Sequence, residues 1–478
     1  MIRKEFTPRP WQKPMLSHLL DHDRCALWAT MGAGKTSPAL TALRILKLTG
    51  ELDAPALVLG PLRVARDVWP DEADEWAHLR DLKVMPIVGD PKTRAFALRQ
   101  KADIYAVNYE QLAWLVEYLG DAWPFRTILA DEATRIKSWR GGVRKNGRFD
   151  VVGANCAKAL ARVAWSKVDR LWEFTGTPSP NGLNDLWGQA WYLDKGTRLG
   201  TNYGNFRQRW FQKSFDGYSV DPLPYAQEQI QAALRDICLT VDIADYIDIK
   251  KPIVNNIYVD LPSRARALYR EMEREMYIRL EDARTAEAFN AAARTQKLLQ
   301  LANGAIYVDP LADTDDSPRS KEWRQIHDEK LDALASVIEE AGGMPVMVAY
   351  QFRSDLARIC KAFPKAADLS VESNLEAFKA GHVPIGLAHP KSLGHGINSL
   401  AKVTNILCFF GHDWNLELYD QIIGRIDYIR QFQAGLDRPL YIHHILARDT
   451  ADEIVMARRD SKRSVQDLLL EAMKRKFG

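Results

Sequence analysis

The chain has 478 residues, 46% hydrophobic, 27% charged and 10% aromatic, the profile of a folded protein of about two to four domains rather than a disordered one. No charged segment leading into an apolar run opens the sequence and no apolar run reaches about 18 residues, so secretion and membrane spanning are not expected and a cytoplasmic protein is. Five scattered cysteines without a Cys-x-x-Cys pair argue against structural zinc, and a net charge of only +3 leaves nucleic-acid contact to a local basic surface.

Up to about residue 180, short apolar runs alternate with amphipathic stretches, the pattern of strands and helices around a parallel sheet. Leu27-Trp28-Ala29 reads as a strand, Thr30-Met31-Gly32-Ala33-Gly34-Lys35-Thr36 as a tight loop, and Ser37 to Leu48 as a helix. Small residues at Gly32, Ala33 and Gly34 let backbone N–H groups close around phosphate oxygens, and the start of the helix adds a positive partial charge. Lys35 would neutralise the β- and γ-phosphates of ATP, and the Thr36 hydroxyl would ligate Mg²⁺. Where the generic P-loop begins with Gly, this chain has Ala29.

Further strands are expected at Ala56 to Leu59, Ile104 to Val107, Thr127 to Ala130 and Trp172 to Phe174. Thr127 to Ala130 runs directly into Asp131-Glu132. An apolar strand ending in adjacent carboxylates can aim one at a metal and the other at the attacking water, so Asp131 is assigned to Mg²⁺ and Glu132 to polarising that water. Arg135 to Arg148 is dense in cations around Gly141-Gly142, as a solvated surface loop or a DNA grip would be; Trp139 within it either stacks or packs.

From Asn184 to about Asp248 the pattern turns helical and aromatic-rich with no obvious parallel strand. Val254 to Asp260 followed by Leu261-Pro262 reads as a strand and a break. The expected lobes are therefore 1–255, with a helical insertion at about 184–248, and 256–478. A charged helix follows from Ser263 to about Ala302, then strands at Pro345 to Ala349, Ile385 to Ala388, Asn405 to Phe410 and Leu440 to Ile445, and a basic amphipathic tail from Thr450 to Phe477. The halves read as two copies of one doubly wound α/β architecture, and two such sheets facing each other create a cleft. His389, His395, His412, His443 and His444 lie on separate elements without acidic partners at ligand spacing, so no metal site is assigned to them. Asp328-Glu329-Lys330 lacks the preceding acidic strand that a nuclease would need.

In this order the residues resemble the Swi/Snf-type branch of superfamily 2. Arg9-Pro10-Trp11-Gln12 looks like its glutamine motif, Met31 to Thr36 like its Met-Gly-x-Gly-Lys-Thr, and Gly60-Pro61-Leu62 with Trp69, Glu72 and Trp76 like motif Ia. Val107-Asn108-Tyr109-Glu110 resembles the next DNA-side motif. Asp131-Glu132-Ala133 continues as Arg135-Ile136-Lys137-Ser138, with Thr134 where the family has histidine. Phe174-Thr175-Gly176-Thr177-Pro178, then Asn181, Leu186 and Trp187, are similar to motif III and its helix. In the second half, Leu298 to Gly304, Lys330-Leu331, Gly394 to Asn398, Asp413-Trp414-Asn415, Tyr419, Gln421 to Arg425 and Thr450 to Glu453 resemble the remaining landmarks.

The resemblance implies two RecA-like lobes with ATP between them, Gln12 contacting the adenine, and Thr175 and Thr177 coupling nucleotide state to DNA contacts. It implies a motor on double-stranded DNA whose arginines act across the cleft on closure, with Gln421, Arg425 and Arg430 as the second lobe's contribution. Lys137, Arg140, Arg144, Lys145 and Arg148 would then grip phosphates. Motif VI departs from the family's Gln-x-x-Gly-Arg-x-x-Arg-x-x-Gln, because the second arginine position is Tyr428. Either Arg430 reaches the phosphate through a segment that is not regular helix, or Arg425 works alone and turnover is slow. The remaining alternatives are a strand-separating helicase on DNA or RNA and a nucleotide-gated DNA clamp. Without further chromatin-reading modules the chain is similar to compact bacteriophage or prophage forms, expected to act as a monomer in the host bacterial cytoplasm.

Overall fold

The computed structural model describes residues 3–30, 32–145, 148–180, 182–213, 220–282, 296–307, 322–393 and 400–460, with side chains omitted for 142–151, 275–282 and 393. Met31, Asn181 and the Gly394 to Asn398 motif lie outside the described residues. The chain divides into two compact units between Asp248 and Ile249.

In the first unit, the strands are β1 (Arg24–Ala29), β2 (Ala56–Gly60), β3 (Val84–Ile87), β4 (Ile104–Asn108), β5 (Thr127–Asp131), β6 (Arg140–Lys145), β7 (Arg148–Val152), β8 (Arg170–Thr175), β9 (Phe211–Lys213), β10 (Val220–Pro222) and β11 (Cys238–Val241). Its helices are α1 (Gln12–Asp21), α2 (Thr36–Thr49), α3 (Trp69–Glu75), α4 (Pro91–Arg99), α5 (Leu112–Leu119), α6 (Asn155–Val163), α7 (Leu186–Asp194), α8 (Tyr203–Trp210) and α9 (Ala226–Leu234). Seven strands form one parallel sheet in the order β11-β1-β8-β5-β2-β4-β3. Central runs such as Ala-Leu-Val-Leu-Gly in β2 are buried at every residue, as strands covered on both faces must be. This order sets the ends of β1, β8 and β5 side by side, so the loops leaving them meet at one edge.

Two strands of this sheet went unseen in the sequence. β3, Val-Met-Pro-Ile, is a half-buried edge strand interrupted by proline. β11, Cys-Leu-Thr-Val, lies inside the span expected to be helical and returns to the sheet beside β1, with Ala26 opposite Cys238. The insertion therefore ends before residue 238, and it also carries the β9–β10 hairpin. The basic stretch after β5 is a β6–β7 antiparallel hairpin rather than an irregular loop.

The second unit has β12 (Ile253–Val259), β13 (Ala305–Tyr307), β14 (Trp323–Gln325), β15 (Val346–Ala349), β16 (Ala366–Asp368), β17 (Ile385–Ala388), β18 (Ile406–Phe409) and β19 (Tyr441–Ala447). Six of these form a second parallel sheet in the order β12-β19-β18-β15-β17-β16. Ile253 to Asn255, assigned by sequence to the first lobe, belong to β12 and pair with β19 here. Alternate residues of β15 feed opposite faces: Met347 and Ala349 join Phe409 and Leu416, while Val346 and Val348 join Leu387 and Phe410. Lys330 and Asp452, both fully buried, pair at 2.7 Å, and Asn303 Oδ1 accepts from the same ammonium at 2.8 Å. This ties the helix Glu329–Glu340 to the closing helix over 451–460.

His412 and His444 are spent on packing. His412 faces the Ile445 carbonyl and Arg459, and His444 lies between Tyr419 and Asn256. Among the described residues no cluster of His, Cys, Asp and Glu could hold a metal by itself, and no helix is long and apolar enough to cross a membrane.

Candidate active site

The loop after β1 is shaped by its glycines. Gly32 and Gly34 sit at φ +81° and +68°, a region that costs a side-chain-bearing residue about 1 kcal/mol or more. At Gly34 a Cβ would also meet Gln12 Nε2 at 2.9 Å. Lys35 precedes α2, whose start has no side-chain cap, so its first N–H groups remain available to an anion. Lys35 Nζ donates to the Ala29 carbonyl at 3.3 Å, folding the side chain back over the loop. Thr36 is the first residue of α2, and Ala33 is fully buried beneath the loop.

Gln12, which the resemblance implied contacts the adenine, packs against the phosphate loop. It is 4% exposed, and its Nε2 donates to the Gly34 carbonyl at 2.9 Å and to Ser37 Oγ at 3.2 Å. Its Oε1 accepts from the Arg9 N–H at 2.9 Å. Both amide protons are thereby committed to bracing the phosphate loop, with Trp11 Nε1 donating to the Ala33 carbonyl alongside at 3.0 Å. Thr30 Oγ1 donates to Asp242 Oδ1 at 3.2 Å, which ties the other side of the loop to the residue after β11.

Two strands away, β5 delivers Asp131 and Glu132. Asp131 Oδ2 accepts from Trp69 Nε1 at 3.1 Å, and its carbonyl accepts from Tyr109 Oη at 2.8 Å. Burial holds the Asp131 carboxyl above the ordinary carboxylate range, while the Lys35 charge and the Trp69 indole pull it back. β1 and β5 both run parallel to β8 on either side of it, so their ends open onto the same edge of the sheet. Glu132 follows at φ +59°, a left-handed conformation unusual for a residue with a side chain and costing about 1–3 kcal/mol. The turn reverses the chain directly after Asp131, so the two adjacent carboxylates need not diverge as they would along a strand.

β8 lies between β1 and β5, with Phe174 opposite Asp131. Thr175 and Thr177 are buried in the loop it enters, the Thr177 N–H donating to Thr175 Oγ1 at 3.0 Å. Thr177 Oγ1 and Ser179 Oγ are buried with no hydrogen-bond partner in the structure. These arrangements fit a nucleotide polyphosphate and its metal: a glycine cradle, an uncapped helix start, a lysine, and a buried carboxylate whose charged form a cation would favour.

The second unit holds the motif VI residues. Gln421 is 3% exposed on the helix Leu416–Ile423 and donates to Glu417 Oε1 at 3.3 Å. That helix ends at Gly424, and a new one, Tyr428–Gln433, starts behind Asp427, whose carboxylate accepts from the Arg430 N–H at 2.9 Å. Arg425 sits in the break and Arg430 on the new helix, its Nη1 donating to Gln433 Oε1 at 3.3 Å. Tyr428 is buried, and its hydroxyl donates to Asp437 at 2.8 Å.

Of the residues expected to grip DNA, two are committed internally. Lys137 forms an ion pair with Asp185 at 3.1 Å. Arg140 donates to the Lys137 and Trp139 carbonyls and lies over the Tyr203 ring at 4.1 Å. Counting charges in a sequence does not reveal which are already paired in this way. Trp139 packs on Trp191 at 5.0 Å. Arg144, Lys145 and Arg148 lie on the hairpin with side chains outside the described residues. Trp69 and Tyr109, which hold Asp131, were visible in the sequence only as parts of neighbouring motifs.

A phosphate loop and an acidic strand end converging on one parallel sheet, with a second parallel-sheet unit downstream, define a two-lobed P-loop ATPase of the RecA-like class. Residues 15–305 match the SNF2-related domain. "Putative protein p41" of Acyrthosiphon pisum secondary endosymbiont phage 1 is 51% identical over 99% of this chain and 100% of its own length. The "Putative ATP-dependent helicase/translocase YwqA" of Bacillus subtilis is 22% identical over 98% of this chain, which spans 49% of that longer protein. The solved Sulfolobus solfataricus SWI2/SNF2 ATPase core in complex with dsDNA is 21% identical at a TM-score of 0.43, covering 98% of this chain and 94% of that one. The chain belongs to the SNF2-related family of ATP-dependent, helicase-like enzymes.

Proposed function

We propose that this protein is an ATP-driven motor that translocates on double-stranded DNA, acting in a bacterial host cytoplasm. The observation that carries the ATP half is that the phosphate loop leaving β1 and the acidic pair ending β5 lie on the same edge of one parallel sheet, with only β8 between them. The DNA half rests on family membership and on the Arg-Ile-Lys-Ser continuation after the acidic pair.

In this proposal Gly32 to Thr36 bind the β- and γ-phosphates through backbone N–H groups and the Lys35 ammonium. Thr36 and Asp131 would hold Mg²⁺, which when bound would supply charge neutralisation on the phosphate oxygens. Glu132 orients the attacking water and takes up its proton as the bond between the γ-phosphorus and the β–γ bridging oxygen breaks, giving ADP and phosphate. Arg425 and Arg430 of the second unit reach the γ-phosphate when the lobes close, and an arginine so placed accelerates phosphoryl transfer by roughly 10³–10⁵. Hydrolysis is thereby gated by closure, and Thr175 and Thr177 relay the nucleotide state to the DNA grip. The test is ATP turnover with and without duplex DNA.

One observation favours a second reading. Tyr428 occupies the family's second arginine position and is turned inward onto Asp437. Without Arg430 acting in its place, turnover is slow and the protein is a nucleotide-gated DNA clamp. Strand separation, the other alternative, is tested by displacement from a forked duplex.

A further inference from the structure

The segment 137–140 joins the acidic strand end to the hairpin, and it is clamped to the first turns of α7, to the turn that leads into α7 and to α8. Lys137 and Asp185 pair at 3.1 Å with only 20% and 9% of their side chains exposed. Arg140 Nη1 donates to the Lys137 carbonyl at 2.5 Å, Nη2 reaches the Asn184 carbonyl at 3.5 Å, and the guanidinium covers Tyr203, whose hydroxyl bonds Asn184 Oδ1. Gly188 lets α7 approach so closely that an added Cβ would fall 2.3 Å from the Lys137 carbonyl oxygen. From the same helix Gln189 donates to the Pro178 carbonyl at 2.7 Å and to that of Asp185 at 3.0 Å, reaching the loop that holds Thr175 and Thr177.

α7 thus holds the segment after Asp131–Glu132 with one group of contacts and the loop after β8 with another. The hairpin begins at Arg140 itself, inside the clamp. A shift of Asp131–Glu132 relative to β8 would have to break a partly desolvated ion pair, where removing one partner leaves a buried charge uncompensated.

We infer that Lys137, Arg140 and Asp185 are positioning residues that lock the acidic strand end, the Thr175–Thr177 loop and the base of the hairpin into one body through α7. Lys137 and Arg140 act through this lock and not as phosphate ligands. The inference rests on the proposed ATP chemistry and refines where the DNA grip lies.

The test uses the full chain. Lys137→Met and Asp185→Asn each break the pair, Lys137→Arg conserves it, and Lys137→Asp combined with Asp185→Lys restores it in reverse. A misplacement of about 1 Å costs roughly 10²-fold in rate, so each break should lower basal kcat between roughly tenfold and a hundredfold. The KM for ATP should hold, because the phosphate loop is untouched. Lys137→Arg and the reversed pair should recover most of the loss. The salt dependence of duplex binding should keep its slope in Lys137→Met, whereas a cation withdrawn from a DNA phosphate removes about 0.9 from it. Melting curves accompany each variant, and Gly188→Ala, which strikes the same interface without removing a charge, should lower kcat in the same way. Failure of the reversed pair to recover kcat in a folded protein, or a slope reduced by about one unit, overturns the inference. If the parent protein does not bind duplex DNA, the motor proposal fails instead, and the DNA-free kcat comparison still decides the lock.

Discussion

In the proposed reaction Lys35 holds phosphate and Glu132 handles water, so their removal should fail differently. Lys35 lies in a loop whose purpose is to surround phosphate, so Lys35→Ala should weaken ATP binding itself. Glu132, held at φ +59° beyond the strand end, handles water, so Glu132→Gln should bind ATP normally and leave it uncleaved. Nucleotide-binding titration beside a turnover assay separates the two. Parent-rate hydrolysis by Glu132→Gln would remove it from the mechanism.

A second acid has no such use. Glu173 lies on β8 at 1% exposure, with neither carboxylate oxygen hydrogen-bonded in the structure. Burial raises its carboxyl well above the usual range, and the Arg24 charge offsets this only in part. Such a group binds a proton more tightly folded than unfolded. Its penalty is absent below the unfolded value of about 4.3 and grows as pH rises toward the folded value. Glu173→Leu should therefore raise the melting temperature at about pH 8, with a gain of about 1–3 kcal/mol from removing the unsatisfied group. The advantage should shrink toward about pH 4. A less stable Glu173→Leu at high pH would show that the carboxylate is supported after all.

At the scale of elements, the hairpin β6–β7 and the motif VI helix carry the open functional assignments. With Lys137 and Arg140 held by α7, a backbone grip falls to Arg144, Lys145 and Arg148. Neutralising the three together should weaken duplex binding on every sequence alike and lower the salt slope by about 0.9 for each phosphate no longer neutralised. An unchanged slope would make the hairpin a solvated surface. In motif VI the break at Gly424 to Asp427 frees Arg430 from the turn of about 200° that two residues of continuous helix would impose relative to Tyr428. Arg430→Ala should then cut kcat by orders of magnitude while ATP binding survives. Tyr428→Arg should destabilise the protein, since it buries a charge and discards the bond to Asp437. Normal turnover by Arg430→Ala, together with faster hydrolysis by Tyr428→Arg, would favour the clamp.

The same elements show what was legible in the sequence. Long apolar runs bounded by turn residues announced β2, β4, β5 and β17 because both faces of a central parallel strand are buried. β3, β11 and β16 are short, and in β3 and β16 only partly buried, so their composition resembles that of loops. The phosphate loop and acidic pair were legible because their chemistry is local. Gln12's bond to Gly34, Trp69's bond to Asp131 and Lys137's pairing with Asp185 join residues 22, 62 and 48 positions apart, and the sequence contains the partners without the pairing.

For the molecule as a whole, two parallel-sheet units follow one another along a single chain, the first with the phosphate loop and the acidic pair, the second with the arginines. Each unit is internally braced, the second by the fully buried Lys330–Asp452 pair that fastens its closing helix. In the proposed mechanism the catalytic set is complete only when the two parts meet. Duplex DNA that favours the closed arrangement would raise turnover by completing that set, and cycles of closure and opening would draw the duplex along.

Steady-state ATP hydrolysis by the full chain, without nucleic acid and with saturating duplex DNA, single-stranded DNA or single-stranded RNA, tests this most directly. The account predicts the strongest stimulation by duplex DNA, and a triplex strand displaced from that duplex at the expense of ATP. Equal stimulation by single-stranded RNA, or hydrolysis indifferent to every nucleic acid, would contradict it.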